Sequence, residues 1–238
     1  MDRLCNKYLN SSNFNKVIDR DLRTEIAKEA SNGNPDALAA YSVMQLKGYG
    51  VEKNELQAKE RLRAYAKSGD PYGKFLCGVL ASDPYFEFSG DLFLSESYLR
   101  SIVFGNNKDK LSSDKIGVSA SILGDYYSGK YPEFVPDKME SLRAYEKAAE
   151  CGDLNAMVKV GCMLINGVEG LFDDSIEANE SRGVEFLLNA KLKGSEVAVR
   201  ELLKFHLRKA LELGKCVGDS DENMGVILNT ISTIEWRL

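Results

Sequence analysis

The sequence has little histidine, little proline and no long apolar run, and each of these shortages excludes a class of protein. His206 is the only histidine among 238 residues, which excludes the usual histidine-rich metal site. Only 5 prolines occur, so helices are tolerated along most of the chain, because proline breaks the interior of a helix. No stretch approaches the roughly 18 apolar residues of a membrane span, and no secretory signal follows Met1. We therefore expect a cytoplasmic protein that makes no membrane contact.

The cysteine content excludes a disulfide framework. A disulfide-rich domain needs an even number of regularly spaced cysteines, whereas this chain has 5 and none of them forms a C-x-x-C pair. We expect reduced thiols that serve as small core residues. They are Cys5, Cys77, Cys151, Cys162 and Cys216.

The charge balance is only mildly acidic. The formal net charge is −5, from 31 basic and 36 acidic side chains. Binding along a phosphate backbone requires a basic surface, so we predict no nucleic-acid partner. A composition of 44% hydrophobic and 28% charged residues is typical of a soluble protein with a core.

Glycine marks an internal repeat. Gly33, Gly69 and Gly105 lie 36 residues apart, and Gly152 and Gly194 lie 42 apart. Small residues recur at three positions relative to these glycines. Four positions after them are Ala37, Gly73, Ala156 and Ala198, and five positions further along are Ser42, Gly78, Gly124 and Gly161. Eleven positions before them are Ala58, Ser141 and Gly183, with Leu94 as the exception. Large side chains recur seven positions before the glycines, at Leu62, Tyr98, Tyr145 and Leu187.

This pattern is typical of a repeated helical hairpin. The repeat glycine ends one helix with a positive φ, and a capping residue such as Asn34, Asp70 or Asp153 opens the next helix. Small residues allow two helices to approach closely, and stacked hairpins bury a continuous core. The pattern predicts helices near 16–31, 35–46, 55–67, 71–81, 91–104, 114–127, 137–150, 153–165, 177–192, 195–213 and 220–236, and no strands.

Two stretches resemble the Sel-one-like repeats (SLR), which are related to the tetratricopeptide repeats. The first runs from Gly33 to Gly69 and contains Gly48-Tyr49-Gly50-Val51 and Ala64-Tyr65-Ala66-Lys67-Ser68. The second runs from Ser141 to Asp153 and is followed by Ala156, Gly161 and Gly167. The resemblance implies an all-α fold, a right-handed α-solenoid of about five helical hairpins. We expect one domain over 1–238, with capping helices at 1–32 and 195–238. Its repeats, at 33–194, carry irregular loops near 82–92 and 105–113.

The resemblance also implies a function without chemistry. Members of the family are scaffolds whose first helices line a concave protein-binding face, and they share no catalytic residues. Some act as adaptors, and some bacterial members resemble immunity proteins that neutralise toxic effectors.

The residues themselves offer little sign of catalysis or of a bound metal. His206 lies in an amphipathic helical pattern and is interpreted as a surface or packing residue. The acidic groups Asp173-Asp174 and Asp219-Ser220-Asp221-Glu222 lack the ligand spacing of a calcium loop. Gly48-Tyr49-Gly50 lacks the lysine of a phosphate loop. We predict no enzyme activity, no cofactor and no metal site.

Two sets of residues are candidates for binding a partner. Aromatic side chains lie in the irregular segments, where they either plug the core or form exposed anchors. They are Tyr85, Phe86, Phe88, Tyr131 and Phe134. Side chains three and seven positions after the repeat glycines share one face of the first helices, which either lines a groove or packs between repeats. They are Asp36, Ala40, Tyr72, Leu76, Asn155 and Lys159.

The sequence thus predicts a non-catalytic scaffold with one dedicated protein partner. The most specific version is a bacterial immunity protein bound to a toxin or effector, or an adaptor. The alternative is an enzyme regulator or a small-ligand sensor that uses the groove as a pocket. A hydrolase on a repeat scaffold is not favoured, because no nucleophile motif is present.

Overall fold

The prediction of an all-α fold is confirmed. The computed structural model describes residues 20–82, 92–105, 111–170 and 175–216. Within these ranges the chain forms ten helices, and its only β-structure is one bridged pair, Val168 with Ile176. The helices are α1 (Arg20–Ser31), α2 (Pro35–Lys47), α3 (Glu55–Lys67), α4 (Pro71–Ser82), α5 (Leu92–Val103), α6 (Ser113–Tyr127), α7 (Lys138–Glu150), α8 (Leu154–Asn166), α9 (Glu180–Leu192) and α10 (Glu196–Cys216). The predicted helix at 220–236 and residues 16–19 of the first predicted helix lie outside the described residues.

The chain divides into two units, residues 1–136 and 137–238. In the first unit, helices that follow each other in sequence pack together, with α5 joining α4 to α6, and α4 also packs on α6. In the second unit α7 to α10 pack in the same way, and α8 also contacts α10. In a stacked α-solenoid, a helix packs on its neighbour in sequence and also on the helix two places along the chain. Both units contain this arrangement. None of the helices in the described part is both long and apolar enough to cross a membrane.

The repeat glycines adopt the predicted left-handed conformation at four of five positions. Gly33, Gly69, Gly152 and Gly194 have φ values of 79°, 88°, 98° and 93°. A Cβ atom at any of the four would meet nothing within 4 Å. These glycines are therefore required by the backbone conformation and not by lack of space, since side-chain-bearing residues rarely adopt this φ.

The residue that follows Gly33, Gly152 or Gly194 serves two helices. The backbone N–H of Asp153 donates to Ala148 O at 3.1 Å, which closes α7, and its carboxylate accepts from Ala156 N at 3.0 Å, which caps α8. Ser195 does the same with Ala190 O (3.0 Å) and Ala198 N (3.2 Å). The two patterns are a Schellman closure and a side-chain N-cap, joined in one residue.

Small residues permit two close helix crossings. A Cβ atom on Gly161 of α8 would lie 2.7 Å from Leu187 Cγ and 3.0 Å from Gly183 O, both on α9. In the first unit, a Cβ atom on Gly78 would lie 2.5 Å from Leu99 Cδ2. A side chain at Gly161 would press on the backbone of α9, and one at Gly78 would displace the buried Leu99 side chain.

The repeat register predicted for α5 is wrong by one residue. Ser95 and Leu99 are 1% and 0% exposed, whereas Leu94 and Tyr98, the residues that the glycine spacing selects, are half-buried. Ser95 and Leu99 are four residues apart, as are Gly183 and Leu187, and they face Gly78 in the same way. In the other repeats the glycine follows the small residue by eleven positions, and eleven positions after Ser95 is residue 106, not Gly105. This explains why Gly105 lacks a positive φ.

Candidate protein-interaction surfaces

The loop that joins α6 to α7 packs its aromatic rings against the first unit. Phe134 is 8% exposed, and its ring stacks on that of Tyr126 with centroids 4.7 Å apart. Tyr131 meets Tyr126 edge to face at 5.0 Å, and its hydroxyl donates to Ser82 O at 3.4 Å. Of the two alternatives for this loop, the packing favours the core plug. Tyr85, Phe86 and Phe88, the other aromatic candidates, lie outside the described residues.

Beneath the plug, Tyr126 is part of a buried polar contact. Its side chain is fully buried, and its hydroxyl lies 2.8 Å from Ser95 Oγ, which donates to Gly78 O at 2.7 Å. Burial raises the pKa of Tyr126 to about 12, against an opposing effect of the Ser95 hydrogen bond. The phenol is therefore neutral and structural at physiological pH.

Exposed apolar residues border the plug, and sequence reasoning missed them. Phe93 is 66% exposed and Val135 is 71% exposed, while the Phe93 ring centroid lies 5.1 Å from that of Phe134. Phe93 carried no repeat signal because it stands at none of the positions that recur with the glycines. Val135 follows Phe134, which the sequence analysis treated as a possible anchor. Only the structure shows that Phe134 is buried and Val135 exposed.

The predicted strip on the first helices is mostly buried in the first unit. Ala40, Tyr72 and Leu76 are each 1% exposed or less, which fits the alternative of packing between repeats. Asp36 is half-buried and lies at the mouth of a cleft between α2 and α3.

That cleft has a volume of ≈ 580 Å³. Arg61 on its wall donates from NH1 to Gln45 Oε1 at 2.7 Å, and Asp70 is occupied in capping α4 through Tyr72 N at 2.8 Å. The arrangement is an apolar recess with fixed polar groups around it. Its lining residues are Asn34, Pro35, Asp36, Leu38, Ala39, Arg61, Ala64, Tyr65, Ser68 and Asp70.

In the second unit the same strip is more accessible. Asn155 is exposed and Lys159 is half-buried. The Lys159 ammonium lies 4.4 Å from the ring centroid of Tyr145 and donates to its hydroxyl at 3.2 Å. Continued at helical spacing along α8, the strip reaches Cys162 and Asn166, which face α10.

A pocket of ≈ 200 Å³ lies where α8, α9 and α10 meet. On its rim, Arg208 NH1 donates to Asn166 Oδ1 at 2.8 Å, and Lys204 Nζ pairs with Glu201 Oε1 at 2.8 Å. Burial, followed by the Glu201 carboxylate, raises the pKa of the Cys162 thiol, so this sulfur is a poor nucleophile. Sequence reasoning missed the pocket, because it followed the strip for only two turns. The lining residues are Cys162, Ile165, Asn166, Leu187, Glu201, Lys204, Phe205 and Arg208.

The described residues offer no arrangement for metal binding. Among them, no group of three His, Cys, Asp or Glu side chains is placed to hold an ion. His206 is exposed, with its ring centroid 5.3 Å from that of Phe205, and it does not line either recess. The acidic groups 173–174 and 219–222 lie outside the described residues.

No protein-family profile matches the sequence, and no curated protein matches it. Solved structures do match in fold. A Sel1 repeat protein from Oxalobacter formigenes aligns with a TM-score of 0.58 at 20% identity, covering 77% of this chain and 69% of its own. A protective antigen of uropathogenic Escherichia coli that displays an SLR fold aligns with a TM-score of 0.57 at 20% identity. That alignment covers 79% of this chain but only 37% of the antigen. The chain therefore has the fold of the Sel1-like repeat proteins, an all-α solenoid.

Proposed function

We propose that this chain is a non-catalytic scaffold that binds another protein on the first-helix face of its second unit. The observation that carries the proposal is the pocket between α8 and α10, where exposed Lys204 and Arg208 stand above an apolar floor. Interface centres favour this combination of an apolar recess and arginine. Proteins of this fold commonly serve as interaction scaffolds.

The finer version is a cytoplasmic bacterial protein with one dedicated partner, either a toxin that it neutralises as an immunity protein or the client of an adaptor. The family resemblance supports this version, and the two solved structures of the same fold come from bacteria. A toxin gene next to the gene of this chain would favour immunity over the adaptor role.

The test is affinity capture from a lysate of the native organism, followed by titration of the captured protein. Asn155→Arg and Lys159→Glu change exposed and half-buried positions of the strip. A partner on this face should bind Asn155→Arg about tenfold more weakly, and Lys159→Glu should mainly slow association at low salt. Val135→Arg is the matched control, because it adds an exposed charge to the other unit. Equal weakening by the control would place the interface elsewhere.

The cleft between α2 and α3 supports a second candidate, a small-ligand sensor or enzyme regulator. Its volume of ≈ 580 Å³ lies within the roughly 300–1,000 Å³ of ligand pockets. Native mass spectrometry of the purified chain would show a copurified small molecule. Arg61→Ala should release that molecule, whereas Arg143→Ala, on an exposed side chain of α7, should retain it. A ligand retained by both variants would exclude the cleft.

A further inference from the structure

We propose that the pocket between α8 and α10 receives an acidic side chain from the protein partner. The inference rests on the proposed function, because it gives the chemistry of the partner at that surface. The partner would present a glutamate or aspartate there.

The shape of the pocket favours a side chain. Its volume is ≈ 200 Å³, which is small compared with the roughly 300–1,000 Å³ of small-molecule sites. Ile165, Leu187 and Phe205 supply the apolar floor, and Leu187 is fully buried. Polar groups occur at the rim, so an entering group places its stem on the floor and its head among them.

Arg208 is held in place by an amide and an aromatic ring of the described residues. Its guanidinium donates to Asn166 Oδ1 at 2.8 Å and lies over the Phe205 ring, 5.9 Å from the centroid. The side chain is exposed, and it is ion-paired with no carboxylate of the described residues. A guanidinium presents five donors in a planar fork, so donors remain for a carboxylate, which it binds in a bidentate manner.

The other charges of the pocket cancel. Lys204 and Glu201 form an ion pair at 2.8 Å, and the Cys162 thiol and Asn166 amide are uncharged. The pocket therefore carries the net positive charge of Arg208. A basic side chain would be repelled, and a neutral one would leave the arginine without a counter-ion, so an acidic side chain is the complementary occupant.

The probe is a fluorescently labelled peptide of alternating leucine and glutamate, titrated against the full chain by anisotropy. Versions with glutamine or lysine in place of glutamate are the peptide controls. We expect saturable binding of the glutamate peptide, weakened about tenfold or more by Arg208→Gln and only partly by Arg208→Lys, which keeps the charge but loses the planar fork. Arg143→Gln, the same change at an exposed arginine of α7 outside the pocket, should bind like the wild type. Equal melting temperatures would show that the variants are folded.

Four results would overturn the inference. The first three are equal binding of the glutamine peptide, tighter binding of the lysine peptide, and no effect of Arg208→Gln. A fourth is tighter peptide binding after neutralising Asp219, Asp221 and Glu222, which would assign the pocket to the acidic stretch of the chain itself.

If a captured partner binds Arg208→Gln like the wild type, this inference fails and the scaffold proposal stands. If no protein is captured but the glutamate peptide binds selectively, the preference for acidic side chains stands and the scaffold proposal fails.

Discussion

Gly161 and Gly183 face each other across α8 and α9, and a Cβ atom on either would press against the backbone of the other. A Cβ atom on Gly161 would lie 3.0 Å from Gly183 O, and one on Gly183 would lie 2.7 Å from Gly161 O. We predict that Gly161→Leu lowers the free energy of unfolding by about 2–4 kcal/mol, because the added side chain forces the helices apart. Urea denaturation measures the change. Asn155→Leu, at an exposed position of the same helix, is the control and should change stability little.

The stability cost of replacing a repeat glycine should depend on how well the new residue tolerates a positive φ and not on its size. Gly152 has φ 98° and open space around its missing Cβ, so we expect Gly152→Ala to cost about 1–2 kcal/mol. Gly152→Asn should cost less although asparagine is larger, because asparagine tolerates the left-handed region better. Thermal and urea denaturation of both variants test this order. A greater loss for asparagine than for alanine would contradict the conformational explanation.

Phe134 should contribute to the stability of the fold and not to partner binding. Its ring is buried between Tyr126 and Phe93, so we predict that Phe134→Ala costs about 3 kcal/mol of unfolding free energy. Val135→Ala is the adjacent control, and since that residue is 71% exposed its effect should be small. If Phe134→Ala keeps full stability but loses the partner, the ring is an anchor and the plug interpretation is wrong.

Stability should fall at alkaline pH because of Tyr126. Burial raises the pKa of Tyr126 from 10.0 to about 12, so the unfolded chain releases this proton at lower pH than the folded chain does. The stability that the neutral Tyr126 contributes is complete below pH 10 and is lost as the pH rises towards 12. The free energy of unfolding then falls by up to about 1.4 kcal/mol per pH unit for one such group. Urea denaturation across this range measures the slope. Tyr126→Phe should have a shallower slope, and an unchanged slope would assign the effect to other groups.

The sequence was sufficient for the helices, because the signals that place them are local. A positive-φ glycine followed by a capping side chain needs no tertiary information, and the predicted bounds agree with the observed helices to within three residues wherever both are described. The register of α5 could not be predicted in this way. It is set by the contact of Leu99 with Gly78, whereas the glycine spacing pointed to Tyr98.

The candidate sites were less predictable than the helices. Tyr72 and Asp36 stand at equivalent repeat positions, yet Tyr72 is 1% exposed and Asp36 lines a cleft. The difference depends on which helix lies alongside, and a repeat pattern in one sequence does not contain that information. Arg208 was missed for a related reason, because its importance comes from Asn166 and Phe205 holding it beside a pocket.

The residues that both end one helix and cap the next make the joints between hairpins intolerant of insertion. An extra residue at 32–34, 151–153 or 193–195 would separate the closing N–H from the capping oxygen and release two helix ends together. In the loops within hairpins, Asn54 and Asn179 also donate to the preceding helix and cap the next one, but a longer stretch of chain separates the two helices, and 48–54 and 167–179 already differ in length. Natural lengthening of the chain and engineered tags should therefore both accumulate in those loops. The spacing of successive hairpins can then be inherited unchanged while the loops between their helices diverge.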